Sequence, residues 1–423
     1  YGVIKSAGLQ KCKSFALFAP LVFDAGHSMI HSALLSGATL HVISDRLLTD
    51  GQELASYIHK HAIDCIKIVP SLWLTYADSG NTILAGKVMI FGGEGFTLSV
   101  LDRLVKSNYH GTVFNHYGPT EATIGKTIHK VDLQKQYNNI PIGKPFSNTQ
   151  LYVLDSALNL LPVGVPGELH IAGDGLARGY LNREDLTMQK FIGDSFSNVP
   201  GAKMYKTGDQ VRWLSDGNIE YLGRIDEQVK IRGFRIELGE IENVLLQSNL
   251  VSKAVVLAKG DAENKRLVAY VIPEEIFHKE TAIAYLKAKL PEYMIPSLWI
   301  ELKDFPLTPN GKIDKKAFPE PDVTGFLSNQ FVAPRNDLEA KLAGIWKEIL
   351  KVERVGVYDN FFELGGHSLL VMRLISSIKR ELKIDLEIST LFELLTIEEL
   401  ANYIKVTQSN YQAEFENYDT IKL

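Results

Sequence analysis

The chain has 423 residues, too many for one ordinary hydrophobic core, so two or three domains are expected. Its 45% hydrophobic and 22% charged residues are the proportions of a water-soluble globular chain, and a net charge of −5 with both signs interspersed gives no attraction to nucleic acid or to an anionic membrane. No apolar run reaches the roughly 18–20 residues of a membrane span, and no charged-then-apolar leader opens the chain. The two cysteines, Cys12 and Cys65, lack metal-ligand spacing and are too few for a disulfide framework, which suits a reducing, cytoplasmic setting.

In chain order, the spacing predicts strands over 15–23, 39–43, 65–69, 87–91 and 113–115, with helices over 51–61 and 98–107 between them. Strands alternating with helices argue an α/β layered domain. Beyond Asn148 the β-rich runs 150–154, 167–172, 210–213 and 219–221 lie closer together, split by Gly, Pro and Asp-Gly turns, which predicts a β-rich subdomain. A second unit comes next, with a helix over 238–247, strands over 251–257 and 265–272, a helix over 281–290, and the exit Pro306-Leu307-Thr308-Pro309-Asn310-Gly311. The Pro, Asp, Gly, Ser and Asn of 320–333 read as a linker. Amphipathic helices are then expected over 338–350, 369–382 and, as one or two, 389–403; the polar tail 407–423 is expected to be poorly ordered or to connect onward.

Within that last unit stands Phe361-Phe362-Glu363-Leu364-Gly365-Gly366-His367-Ser368-Leu369-Leu370, a serine at a glycine-rich turn just before an apolar-periodic segment. A serine there serves as an ordinary helix N-cap. The decapeptide as a whole resembles the core motif of peptidyl carrier domains, all-α four-helix units in which that serine carries a 4′-phosphopantetheine arm. The resemblance makes Ser368 the attachment site and a phosphopantetheinyl transferase a partner.

Upstream, six strings in order resemble those of nonribosomal peptide synthetase adenylation domains: Asn115-His116-Tyr117-Gly118-Pro119-Thr120-Glu121, Gly167-Glu168-Leu169, Ala177-Arg178-Gly179-Tyr180, Tyr205-Lys206-Thr207-Gly208-Asp209, the run 223–242, and Asn310-Gly311-Lys312. The resemblance covers about 15–406. It implies an adenylate-forming (ANL-type) large lobe over 1–223, a small α+β mobile lobe over 224–320, a linker over 321–333, the carrier over 334–406 and a tail over 407–423. It also implies ATP and Mg²⁺ as cofactors. Asn115, Tyr117, Gly118 and Thr120 would line the nucleotide, with Tyr117 stacking on adenine and Thr120 reaching the α-phosphate. Glu121 would supply a hard oxygen to Mg²⁺. Asp209, assisted by Arg224, would hold the ribose hydroxyls. Lys312 would bridge the substrate carboxylate and the phosphoryl oxygens, where negative charge builds as the bond forms. Asp226, in Gly223-Arg224-Ile225-Asp226, would be the hinge about which the small lobe turns between half-reactions.

The same resemblance assigns Asp24 to the α-ammonium of an amino acid, placed at the end of a strand, and lines the pocket with Ala25, Ser28, Lys67, Ile90, Gly92, His116, Ile124 and Gly125. Lys67 interrupts an apolar run, where a bare ammonium costs several kcal/mol unless paired. An anionic substrate side chain would resolve that cost, and the set resembles the pattern of aspartate-activating domains. Ala25 and Ser28 are smaller than usual there, leaving room for a β-substituted aspartate; asparagine and then glutamate are the nearest competitors.

The family's Gly/Ser/Thr-rich phosphate loop is expected upstream of Asp24, and no such loop occurs in 1–23, so the first part of the adenylation core is expected to lie outside this chain. The reading is an adenylating ligase with its carrier, working beside condensation or thioesterase domains. One alternative is a non-catalytic carrier and docking fragment with a truncated, inactive adenylation lobe. A free-standing acyl-CoA ligase fits the nucleotide strings but neither the continuous carrier nor Asp24.

Overall fold

The computed structural model describes residues 1–226, 228–260, 265–308, 313–320, 331–362, 364–366 and 368–416; the side chains of 368, 369, 388, 389, 392 and 408–416 are outside the description. Lys312, the expected cation of adenylate formation, and His367 of the carrier motif lie outside the described residues. The chain divides into two compact units, Tyr1–Glu237 and Leu238–Leu423.

In the first unit β1 (Ser14–Leu17), β2 (Thr39–Val42), β3 (Cys65–Ile68), β4 (Val88–Gly92), β5 (Thr112–Tyr117), β6 (Thr127–Val131) and β7 (Lys144–Pro145) form one sheet in the order β2-β1-β3-β4-β5-β6-β7. The pairs from β2 to β5 are parallel, and β6 and β7 are antiparallel. Every residue of β1 and β4 is buried, as expected of parallel strands covered on both faces. The helix Leu98–Lys106 buries Val100, Leu101 and Leu104, the spacing of a helix with one apolar face. The helix Gly51–Lys60 starts where Asp50 Oδ1 accepts from the backbone of Gln52 and Glu53 at 3.0 and 2.9 Å.

The expected strand over 15–23 is shorter than predicted. It ends at Leu17; Pro20 then opens a turn in which the Phe23 amide donates to its carbonyl at 3.0 Å, and Asp24 is the first residue of a helix, Asp24–Leu35. Proline cannot extend the ladder, and an aspartate is favoured where helical N–H groups lack partners. Because β2 and β3 flank β1 on opposite sides, the chain reverses its strand order there. Crevices at the carboxyl ends of strands beside such a reversal are where α/β sheets take ligands.

A second sheet comprises β8 (Thr149–Leu154), β9 (Gly167–Gly173), β10 (Phe191–Gly193), β11 (Lys203–Trp213) and β12 (Ile219–Arg224), in the order β10-β11-β9-β8 with β12 on β11. β11 begins well before the predicted 210–213, and its register shifts between Lys206 and Gln210. Such a bulge re-aims side chains, here those of Thr207 and Asp209. Tyr117, Leu151, Leu169, Val211 and Ile219 share one core, which fixes the end of β5 against this sheet. A hairpin, β13 (Val229–Ile231) and β14 (Phe234–Ile236), closes the unit. Its two-residue turn, Arg232-Gly233, has φ of +53° and +80°, the left-handed pair that such hairpins require.

In the second unit β15 (Val251–Lys259), β16 (Arg266–Pro273) and β17 (Leu298–Glu301) make a three-stranded sheet whose core includes Val255, Val268, Tyr270, Leu298, Phe305 and Phe318. Four helices come after it: Asp337–Leu350, Ser368–Leu382, Ile388–Glu393 and Ile397–Glu416. They bury Trp346 edge-on against Phe361 at 4.9 Å, with Val371, Leu374, Leu400 and Ile404 around them. The tail expected over 407–423 is helical as far as Glu416. No Gly or Pro interrupts 397–416, and extending an existing helix costs far less than nucleating one.

Candidate active site

The nucleotide-side residues converge in the first unit. Tyr117 ends β5, its hydroxyl donating to Asp209 Oδ2, while Arg224 Nη1 donates to Asp209 Oδ1 at 2.9 Å. Asp209 is only 2% exposed, and its backbone N–H donates to the Thr207 hydroxyl at 3.0 Å. Burial, and then the Asp209 charge, push the Tyr117 phenol well up, so it stays a donor. Arg224 also forks onto Asp226 at 2.7 and 2.5 Å, so Asp209 and Asp226 share one guanidinium. Asn115 is spent differently: its amide donates to Pro141 O at 2.8 Å. Thr120 is exposed, at the start of a short 3-10 turn that leads into Glu121.

Glu121 lies among donors. Arg235 Nη1 reaches its two oxygens at 2.7 and 3.0 Å, and the Tyr180 hydroxyl donates to it at 2.7 Å. Burial works to raise the carboxyl's pKa, but Arg235 and then Tyr180 hold it below the ordinary range. Arg235 is fixed in turn by Gln228 Oε1 at 2.6 Å and the Tyr205 hydroxyl at 3.2 Å. Opposite Arg235 in the hairpin, Lys230 places its ammonium 5.6 Å from the Tyr117 ring centre. Burial lowers the Lys230 pKa, with Asp209 opposing. A carboxylate of this kind suits a hard divalent cation, and Mg²⁺ bound there would neutralise phosphoryl charge. Arg235 stands on the same oxygens, so a cation bound there would compete with it for their lone pairs.

Sequence reasoning missed Arg235 and Lys230. The signal available was a cation two residues to either side of an Arg232-Gly233 pair, but the contact with Glu121 spans 114 positions and shows only in the fold.

The substrate-side residues form a connected wall. Lys67 Nζ, at the carboxyl end of β3, donates to Ser28 Oγ at 2.9 Å, on the helix that Asp24 begins. Lys67 pairs in register with Ile90 of β4, and Gly92 with His116 of β5. A Cβ on Gly125 would lie 1.9 Å from His116 Nε2, so glycine there makes room for the ring, and one on Gly92 would lie 2.6 Å from His116 O, so glycine there lets the β5 backbone pass. Beside Gly125, Thr123 and Ile124 hold φ of +64° and +67°. Left-handed β-branched residues cost on the order of 1–3 kcal/mol each and cluster at functional sites. Gly118 closes the wall against the nucleotide side, since its Cβ would fall 2.6 Å from both Gly125 Cα and Ile124 O. Ala25 follows Asp24 in the same helix.

The charges in this wall are unmatched. Asp24 Oδ2 is buried without a hydrogen-bond partner, and Lys67 forms no ion pair among the described residues. Burial draws the Lys67 pKa down to about 8, with Asp24 opposing. Burial, and then the Lys67 charge, push His116 well below its usual value, so it stands as a neutral imidazole.

Ser368, the expected arm site, is the first residue of a 15-residue helix, a position that leaves its backbone free of the helix interior. No described helix is long and apolar enough to cross a membrane.

Residues 3–181 match the family of AMP-binding enzymes, 240–312 the AMP-binding enzyme C-terminal domain, and 340–404 the phosphopantetheine attachment site. Bacitracin synthase 3 of Bacillus licheniformis is 42% identical over 94% of this chain and 6% of its own length. Surfactin synthase subunit 1 of Bacillus subtilis (strain 168) is 44% identical over 94% of this chain and 11% of its own length, so the chain spans a small part of these relatives. A solved holo-form protein of the nonribosomal peptide synthetases, containing adenylation and PCP domains and bound to a vinylsulfonamide inhibitor, is similar with a TM-score of 0.75 and 25% identity over 93% of this chain and 66% of that one. The three family matches in this order, the synthetase relatives and the shared fold place the chain in the nonribosomal peptide synthetase family, as an adenylation region followed by its carrier domain.

Proposed function

We propose that the chain activates L-aspartate, or a β-substituted aspartate, and loads it onto a phosphopantetheine arm on Ser368. The substrate carboxylate attacks the α-phosphorus of ATP and pyrophosphate leaves; an arm held on Ser368 would supply the thiol that takes the acyl group, with AMP as the leaving group. Tyr117, Asp209 and Arg224 hold the nucleoside, Asp24 takes the α-ammonium and Lys67 the side-chain carboxylate. Lys312 supplies the cation for the first half-reaction, and Asp226 is the hinge between the two. A phosphopantetheinyl transferase and neighbouring condensation or thioesterase domains are the partners.

One observation carries the substrate assignment: Asp24, with one carboxylate oxygen buried and unpartnered, and the part-buried Lys67 ammonium feel each other's charge without forming an ion pair. Unpaired buried charges are costly, and one ligand bearing an ammonium and a distal carboxylate satisfies both. The test is ATP–pyrophosphate exchange with aspartate, asparagine, glutamate and β-hydroxyaspartate, by a chain that also carries the phosphate loop expected upstream of Asp24. Aspartate or its β-hydroxy form should lead asparagine by on the order of 10- to 100-fold, the worth of a charge-assisted hydrogen bond. Preference for asparagine or an apolar amino acid contradicts the pocket reading. Absence of exchange with any amino acid, together with normal modification of Ser368, favours the carrier-only alternative.

A further inference from the structure

Arg266 opens β16 in the three-stranded sheet, and its Nη1 is buried with no hydrogen-bond partner among the described residues. Lys259, its register partner in β15, is committed to Glu320 at 2.7 Å, whereas Arg266 forms no ion pair among the described residues. Burial draws its pKa below the ordinary guanidinium value. A guanidinium offers five donors in a fixed fork suited to phosphate, and desolvating it without an anion is costly.

That guanidinium lies over Gly365 of the carrier loop. A Cβ at Gly365 would be 2.7 Å from Nη1 and 3.5 Å from Cζ of Arg266, and Gly365 also holds φ at +102°. The loop does not depend on Arg266 for its shape. The amides of Gly365 and Gly366 donate to Phe362 O at 3.1 Å and Phe361 O at 2.8 Å. Three residues further on, Ser368 begins the helix Ser368–Leu382, and three residues span at most about 11 Å. A helix of this length presents unpaired N–H groups and a positive dipole end at its start, which adds to the attraction for an anion.

We propose that Arg266 is a ligand for the phosphodiester of the phosphopantetheine arm, a contact from the small lobe's sheet that anchors the arm's root while its thiol end stays free. The proposal rests on Ser368 carrying the arm. Anchoring the root narrows the volume through which the thiol diffuses, without touching adenylate formation.

The test uses the full chain in apo form and in holo form made with a phosphopantetheinyl transferase and coenzyme A. Intact mass comes first: no added arm, or an arm that persists in Ser368→Ala, defeats the Ser368 reading, independently of the resonance measurements. On the holo chain, the ³¹P resonance of the phosphodiester should be displaced and broadened relative to the same chain unfolded in urea. Arg266→Gln should return it to the unfolded position, and Arg266→Lys, which keeps the charge but loses the fork, should leave it between the two. The arm should also raise the melting temperature of the wild-type chain, and this gain should be lost in Arg266→Gln. A wild-type resonance that coincides with the unfolded one overturns the proposal. So does a displacement that neither variant changes; should Arg266→Gln fail to fold, an unchanged resonance in Arg266→Lys overturns it alone.

Discussion

Lys67 titrates at about 8, so its grip on an anion is set by pH within an ordinary working range. Below that value it is an ammonium and can pair with a substrate carboxylate; above it a neutral amine faces the same group. Aspartate affinity should therefore fall as pH rises through about 8, while asparagine affinity stays level, as isothermal titration would read. Lys67→Met should abolish both the preference and its pH dependence. If aspartate still wins in that variant, the selectivity has another cause. Arg235 supplies a second prediction. It occupies the carboxylate that Mg²⁺ would use, with Arg235 30% and Glu121 12% exposed at the side chain. Arg235→Gln should lower the Mg²⁺ concentration that half-saturates pyrophosphate exchange by on the order of tenfold or more, since hydrogen bonding to a charged group is worth roughly 1.5–3 kcal/mol. An unchanged Mg²⁺ requirement would show that the two do not compete.

Among the elements, the carrier helices carry a charge cluster with a definite pH signature. Asn336 caps the first helix by accepting from the Glu339 backbone at 3.1 Å, and Glu339 accepts from Arg335 at 2.9 Å. Arg335 also pairs with Glu398 of the last helix at 2.8 Å. The hydrogen bond from Arg335, against the opposing effect of burial, holds the Glu339 carboxyl at about 2, down from 4.5. A carboxyl depressed in the folded state stabilises fully above 4.5, and that contribution is lost as pH falls toward about 2. Carrier unfolding temperatures of wild type and Glu339→Gln should therefore differ most at neutral pH and converge through this window. A difference that is constant with pH would contradict the linkage.

At the scale of the molecule, what was legible in the sequence depended on how local its cause was. The apolar runs of β3, β4 and β5, the Lys67 that breaks one of them, and the apolar-periodic carrier helices all arise from neighbouring residues, and the structure agrees with them. Asp24 was placed on a strand end because Phe15–Leu17 and Leu21–Phe23 are both apolar; Pro20 between them decides otherwise. The bulge that aims Asp209 and the left-handed Thr123 and Ile124 come from tertiary packing and leave no local pattern. The Arg235–Glu121 pair and the Arg266–Gly365 approach each join residues about a hundred positions apart, so only the fold could show them.

The central claim, that one continuous chain selects an acidic amino acid and loads it onto its own serine, comes down to a single mass measurement. A holo chain that also carries the phosphate loop expected upstream of Asp24 is incubated with ATP, Mg²⁺ and an equimolar mixture of aspartate, asparagine and glutamate, and its intact mass is recorded. The expected result is one aspartyl increment on the arm, lost with hydroxylamine, absent in Ser368→Ala and reduced in Lys67→Met. An arm that stays unloaded, or one that carries asparagine, would contradict it.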